Sequence, residues 1–468
     1  MYRNCLLSLC LGLAWTIPAP LVAAPLTTDA FAPCADAGDF PALAGSTCTT
    51  VTVPLDHATP GAGEVSLFLR KFPVGDDQPR RGEVWLVAGG PGESGAAFYP
   101  ALATLRRAFP GHDLVIPDHR GTGYSSRLCP LQEALDSPDG LALAGEEWGP
   151  CIATLYAHAD RTRAFSITQA AHDLSGLIAQ HRGDGPVYLY GVSYGTQLVL
   201  RLLQVAPVPL DGVILDGLVP PEGALAWEIS QRTQIVDRVG HDAFAPAQIT
   251  AVAELIERAA SRPAWVLDIP GQDLRQFLGR LLNFPDLRAR IPELVETLQH
   301  DDTRVLLQTV ADLKALGARL LPYPQSPPSV PLVMLITGAE NNSRTDLTAE
   351  VVATEGRTAL FASPLPGLAV DPPLPLYQRD AHFGKLPAQL PPTLVMQGTL
   401  DPATPLEGAR AHVARLSTLG PVQLATVSGG AHALVLTAPD CFVRLSAPFV
   451  SGQTPPADCR LEPGAAGP

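Results

Sequence analysis

The sequence predicts an α/β fold: a mostly parallel sheet with helices on both faces and a helical cap inserted into it. Three observations predict this. Short apolar runs of strand length alternate with helical patterns through the first 219 residues. A long, proline-broken helical stretch follows, and the strand pattern then resumes near the C-terminus. Strand–helix alternation favours a parallel sheet because a crossover between parallel strands needs a covering helix.

In chain order, Cys48 to Val53 and Glu64 to Phe72 alternate apolar and polar residues around Pro60-Gly61-Ala62-Gly63, the pattern of a β-hairpin. Buried-type strands are expected over Glu83 to Ala88, Asp113 to Pro117, Pro186 to Gly191 and Gly212 to Leu218, with helices over Ala101 to Ala108, Ile167 to His181 and Tyr194 to Gln204. From 220 to 392, expected helices cover Ala224 to Val239, Pro246 to Arg262, Gln272 to Leu282, Pro292 to His300 and Asp302 to Leu321. Strands return at Thr393 to Gly398 and Val422 to Val427. The expected organisation is therefore a leader (1–24), a core in two parts (25–219 and 393–468) and a cap insertion (220–392).

With 468 residues, 46% of them hydrophobic and 17% charged, the chain has the makings of a large core, and two folding units are expected. A formal charge of -14 argues against nucleic acid and anionic membrane surfaces as partners. Arg3 followed by the short apolar run Cys5 to Trp15, with Val22 and Ala24 before the expected cut, reads as a signal peptide rather than a membrane span. Six cysteines remain beyond the leader, and an even number in an exported chain points to disulfides. They fall into three local couples, Cys34–Cys48, Cys129–Cys151 and Cys441–Cys459. Zinc is the rival use, but no C-x-x-C or H-x-x-x-H spacing supports it.

The chemistry-bearing motif is Gly191-Val192-Ser193-Tyr194-Gly195, placed between an apolar strand and a helix. A G-x-S-x-G turn of this kind is the nucleophile elbow of the α/β-hydrolase fold: it thrusts the serine hydroxyl into the open at the positive end of a helix. A serine hydroxyl needs a base, and in this fold the acid and then the histidine follow the serine in chain order. His432, in the Gly-rich loop after Val422 to Val427, is the expected base. The competitors His241, His300, His382 and His412 are expected on the surface, and His119 is expected to be non-catalytic. Asp401, just after Thr393 to Gly398, is the expected acid, and Asp216 is its rival. Backbone amides of Gly90 and Tyr194 are the expected oxyanion donors. Asp118 and Arg120 are expected to pair structurally. The glycines of residues 89–95 lack the lysine of a phosphate-binding loop, so no cofactor is implied.

Together, Gly89-Gly90-Pro91-Gly92-Glu93-Ser94-Gly95, Asp118-x-Arg120-Gly121-x-Gly123-x-Ser125, the Ser193 elbow, Asp401-Pro402-x-Thr404-Pro405 and Gly430-Ala431-His432 resemble the proline iminopeptidase and tripeptidyl aminopeptidase family. Cys441, shortly after the histidine, resembles the exported tripeptidyl aminopeptidase branch. The resemblance implies a serine exopeptidase acting on a free peptide N-terminus beneath a helical cap. It also implies that Glu340, in Gly338-Ala339-Glu340, binds the substrate amine, although Gly338 stands where the pattern has cysteine. An esterase using the same triad on another acyl group is the mechanistic alternative. A non-catalytic binding protein on the same fold is the alternative from another class.

Overall fold

The computed structural model describes residues 27–28, 30–59, 61–75 and 78–461, so the expected leader lies outside the described residues. Eleven strands form one sheet: β1 (Thr27–Thr28), β2 (Ala32–Pro33), β3 (Thr47–Pro54), β4 (Glu64–Phe72), β5 (Gly82–Val87), β6 (His112–Pro117), β7 (Val187–Val192), β8 (Gly212–Asp216), β9 (Thr393–Gly398), β10 (Val422–Ser428) and β11 (Asp458–Arg460). Their order is β1-β3-β4-β6-β5-β7-β8-β9-β10-β11, with β2 also on β3. Pairings up to β4–β6 are antiparallel, and every pairing from β6 to β11 is parallel.

Alternating residues of the central strands bury into two different cores. Trp85 and Val87 join one cluster with Leu189, Leu198 and Leu215, while Val84 and Leu86 join the other with Tyr190, Phe442 and Met396. Burial on both faces is why these strands read as unbroken apolar runs rather than as alternating ones. A third cluster, including Val252, Leu278, Leu294 and Phe361, lies wholly within the segment between β8 and β9. Among the described residues, no helix is long and apolar enough to cross a membrane. The three disulfides are Cys34–Cys48, Cys129–Cys151 and Cys441–Cys459, with Cα–Cα distances of 5.0, 5.3 and 5.7 Å.

Two local expectations differ from the structure. The stretch expected as one helix from Ala224 to Val239 begins as two 3₁₀ turns, Leu225–Trp227 and Ile229–Gln231, and becomes α-helical only over Arg232–Ala243. Glu228, between the turns, is extended, and its carboxylate accepts from the amide and hydroxyl of Ser343 at 2.6 Å each. That contact holds the chain out of a continuous helix. Helix Val330–Glu340 was not expected. Its Leu332, Leu335, Ile336 and Ala339 bury in the sheet core rather than in the third cluster, leaving a segment too evenly apolar to show a helical period.

Asp118 and Arg120 do not pair with each other. Asp118 accepts the amides of Gly95 (2.7 Å) and Tyr124 (2.9 Å), and burial pushes its carboxyl up to about 6 against those bonds. The turn between them sends Arg120 away to Asp173, which it grips through Nε (2.6 Å) and Nη2 (2.7 Å) while also donating to the carbonyls of Pro54, Leu55 and Ala164. Arg120→Met should therefore leave buried Asp173 with His57 alone and strand three carbonyls, costing about 3–5 kcal/mol. Urea unfolding of the variant checks this.

Candidate active site

The sheet register brings the candidate residues to one edge. Val192 pairs with Asp216, Asp216 with Met396, and Gly398 with Val427. The carboxyl ends of β7, β8, β9 and β10 are therefore level, and the loops carrying Ser193, Gly217, Asp401 and His432 leave the sheet side by side. This edge is where open parallel sheets place ligands.

Ser193 sits between β7 and the helix Tyr194–Val205 with φ 55 and ψ -126. A non-glycine residue is uncommon there, and the strain persists only where the surroundings enforce it. The neighbouring glycines do so by close approach. A Cβ on Gly191 would lie 2.6 Å from the Gly195 carbonyl oxygen, and one on Gly195 would lie 2.4 Å from that of Val87. The Ser193 amide donates to the Asp216 carbonyl at 2.9 Å. The next residue, Gly217, would with a Cβ stand 2.9 Å from His432 Cε1. Both the serine and the imidazole thus pack on the same turn after β8. Ser193 Oγ makes no hydrogen bond among the described residues, so the expected Ser193–His432 bond is not formed in this structure. Such bonds tighten only as substrate is engaged.

The His432–Asp401 bond is formed, Nδ1 to Oδ2 at 2.8 Å. Asp401 is held from every side: its Oδ1 accepts the amides of Ala403 (2.7 Å) and Thr404 (2.8 Å). Its Oδ2 accepts from Gln397 Nε2 and Thr404 Oγ1, each at 2.9 Å. Burial alone would raise this carboxyl, but the His432 charge and these bonds leave it below the usual carboxylate value. For His432 burial alone would lower the imidazole; the adjacent Asp401 outweighs it, and the net shift is upward.

Asp216, the rival acid, serves a different part of the same loop. It accepts the amides of Leu434 (3.0 Å) and Val435 (3.2 Å) and the Tyr190 hydroxyl (2.9 Å). It thereby anchors the chain just after His432. Arg288, in the helical segment between β8 and β9, reaches the same loop, Nη2 donating to the Gly429 carbonyl at 2.5 Å. His119 is buried, its Nδ1 on the Arg120 carbonyl at 3.0 Å, and desolvation pushes its imidazole down to about 4. His412 departs from the surface expectation. It is buried, with Nδ1 2.7 Å from the Val219 carbonyl oxygen.

Gly90 and Tyr194 line one cleft with Ser193, and neither of their amides has a backbone acceptor among the described residues. Gly90 has φ 109, and a Cβ there would meet the Gly92 amide nitrogen at 2.3 Å. Glycine is thus required for the loop to turn over the serine.

Glu340 lines the same cleft at the end of helix Val330–Glu340 and is 2% exposed. Tyr377 donates to its Oε1 at 2.9 Å, while Oε2 faces Arg201 at 3.5 Å and has no hydrogen-bond donor among the described residues. Arg201 also serves Glu222 (2.9 Å) and Asp380 (3.5 Å), so one guanidinium faces three carboxylates. Burial first, opposed by Arg201 and reinforced by Glu222, pushes the Glu340 carboxyl up to about 7. At Gly338 a Cβ would press at 3.1 Å on the side chains of Leu376 and Pro372, a tight contact at the position where the resembling motif has cysteine.

Gln397, Thr404, Tyr377, Arg201 and Arg288 escaped the sequence reading. Thr404 had a signal in its motif position; the others lie in strands, helices and proline-rich chain whose patterns report only burial.

A model described as alpha/beta hydrolase fold matches residues 84–245, and one described as TAP-like protein matches 373–460. The tripeptidyl aminopeptidases of Streptomyces coelicolor and Streptomyces lividans are each 28% identical to this chain over 198 residues, 38% of its length. The chain spans only 36% of the length of these relatives. Among solved structures, a proline iminopeptidase of Mycobacterium smegmatis aligns at 15% identity and a TM-score of 0.42, covering 86% of this chain and 98% of that one. An esterase of Thermogutta terrifontis aligns at 15% identity and a TM-score of 0.38, covering 84% and 96%. With the parallel sheet, the elbow and both matched segments in place, the chain has the α/β-hydrolase fold, and its C-terminal part is similar to TAP-like proteins.

Proposed function

We propose that the protein is an exported serine exopeptidase that cleaves peptides from a free N-terminus. Ser193 attacks the scissile carbonyl, and His432 takes its proton and returns it to the leaving amine. Asp401 holds the productive tautomer, and the amides of Gly90 and Tyr194 receive the oxyanion; water then releases the acyl-enzyme. The three disulfides support export, because such bonds persist in oxidising compartments.

The observation that carries the peptidase reading is the carboxylate-rich end of the cleft. Glu340 and Glu222 line it with Ser193, and among the described residues Arg201 is the one cation paired with them and with Asp380. A substrate ammonium entering there supplies the missing positive charge and gives Glu340 Oε2 a donor. An ester with an uncharged acyl chain supplies neither. Glu340→Gln should lower kcat/KM about 10–100-fold for tripeptidyl anilides with a free N-terminus. N-acetylated anilides should lose far less. An unchanged ratio of free to blocked turnover rejects the role, and ester hydrolysis with no amide cleavage rejects the peptidase.

Protonation of either Glu340 or His432 should silence the site from the acid side. His432 is raised above its ordinary 6.5 and Glu340 lies at about 7, so kcat/KM should fall as pH drops through about 7. With Glu340→Gln the limb should reduce to that of His432 alone, read from a pH profile on the tripeptidyl anilide with a free N-terminus.

A further inference from the structure

One charged group in the cleft is assigned no task by the reaction just described. Arg232, the first residue of helix Arg232–Ala243, lines the cleft of Ser193 and Glu340 and also the adjoining cavity beneath the cap, beside Pro402. Three arginines of the core hold acidic partners: Arg70 holds Asp36, Arg120 holds Asp173, and Arg201 holds Glu222. Arg232 has neither an ion pair nor a side-chain hydrogen bond among the described residues, and its Nε is buried with no acceptor. Desolvation pushes the guanidinium down to about 10, with the Asp401 charge acting against that shift. It stays charged at neutral pH. A guanidinium nitrogen kept out of water without an acceptor is unfavourable, and an anion delivered into the cleft gives the partly exposed group the partner it lacks.

We infer that Arg232 is a substrate-recognising residue that binds a carboxylate of the peptide. The inference rests on the peptidase reading and names its substrate class: peptides carrying both a free ammonium and a carboxylate close to the scissile bond. The same cleft holds carboxylates suited to the first and a lone guanidinium suited to the second. A planar guanidinium matches a carboxylate in two parallel hydrogen bonds. The carboxylate has two possible sources, an acidic side chain on the residue before the cut or the free C-terminus of a short peptide.

Two substrate pairs separate them: alanyl-alanyl-glutamyl against alanyl-alanyl-glutaminyl anilide, and tetra-alanine as free acid against its C-terminal amide. Each is measured with the wild type, Arg232→Gln and Arg232→Lys, and fluorophosphonate labelling of Ser193 reports that the site is intact. The wild type should favour the carboxylate member of one pair by about tenfold or more. Arg232→Gln should bring that ratio close to one, and Arg232→Lys should restore part of it. Preference in the first pair identifies the side chain, and in the second the C-terminus. A wild-type ratio near one in both pairs, or a preference that survives Arg232→Gln, overturns the inference. If labelled enzyme cleaves no amide, the peptidase reading fails. Glutamyl and glutaminyl methyl esters then decide Arg232 by the same ratio.

Discussion

Ser193→Ala should lower kcat by at least about 10³-fold while leaving the fold intact. The size follows from what the hydroxyl does: without it no acyl-enzyme forms, and the remaining oxyanion donors can only assist direct attack by water. Structural cost should be small. The strained backbone at 193 is enforced by the approach of Gly191 to the Gly195 carbonyl and of Gly195 to that of Val87, and by the Ser193 amide on Asp216, none of which involves Oγ. Circular dichroism and the urea midpoint should be unchanged, and fluorophosphonate labelling should disappear. Labelling that persists in the variant would place the nucleophile elsewhere.

That such a variant can be designed from a bare sequence reflects how the fold encodes its site. The elbow is local: two glycines, a serine and their flanking strand and helix all lie within one stretch of chain. Asp401 and His432 are remote, but each stands just past a strand whose apolar run is legible, so chain order and strand ends locate both. The supports could not be read the same way. Gln397 is a strand residue whose side chain turns back to Asp401, and nothing in Thr393 to Gly398 distinguishes it from a polar interruption. Helix Val330–Glu340 is apolar on every side because it packs into the sheet core, which erases the period that would announce it. The break at Glu228 depends on Ser343, 115 residues away, and Arg232 follows it in the chain. Contacts between distant segments are set by packing, and composition carries no trace of their geometry.

Asp401→Asn should reduce kcat about 10⁴-fold, whereas Asp216→Asn should act mainly on stability. In the first variant Oδ1 can keep the amides of Ala403 and Thr404, and Gln397 can keep the Thr404 carbonyl. The loop backbone should therefore hold its shape, although Gln397 and the Thr404 hydroxyl lose their bonds to Oδ2. The second position then carries an amide NH₂ facing His432 Nδ1, where the carboxylate accepted a hydrogen bond from Nδ1–H at 2.8 Å. The imidazole must turn its lone pair to that amide and carry its proton on Nε2, the atom that has to accept from Ser193. The upward shift of His432 also rests on the Asp401 charge. Residual activity should therefore titrate at lower pH than in the wild type. Asp216→Asn retains one acceptor but presents donors to amides and a hydroxyl that already donate, costing about 1–3 kcal/mol at the anchor of Leu434 and Val435. Its kcat should fall far less than that of Asp401→Asn. If the two variants exchange these effects, with Asp216→Asn losing turnover at unchanged stability, the acid belongs to β8 and the 2.8 Å contact at His432 is structural.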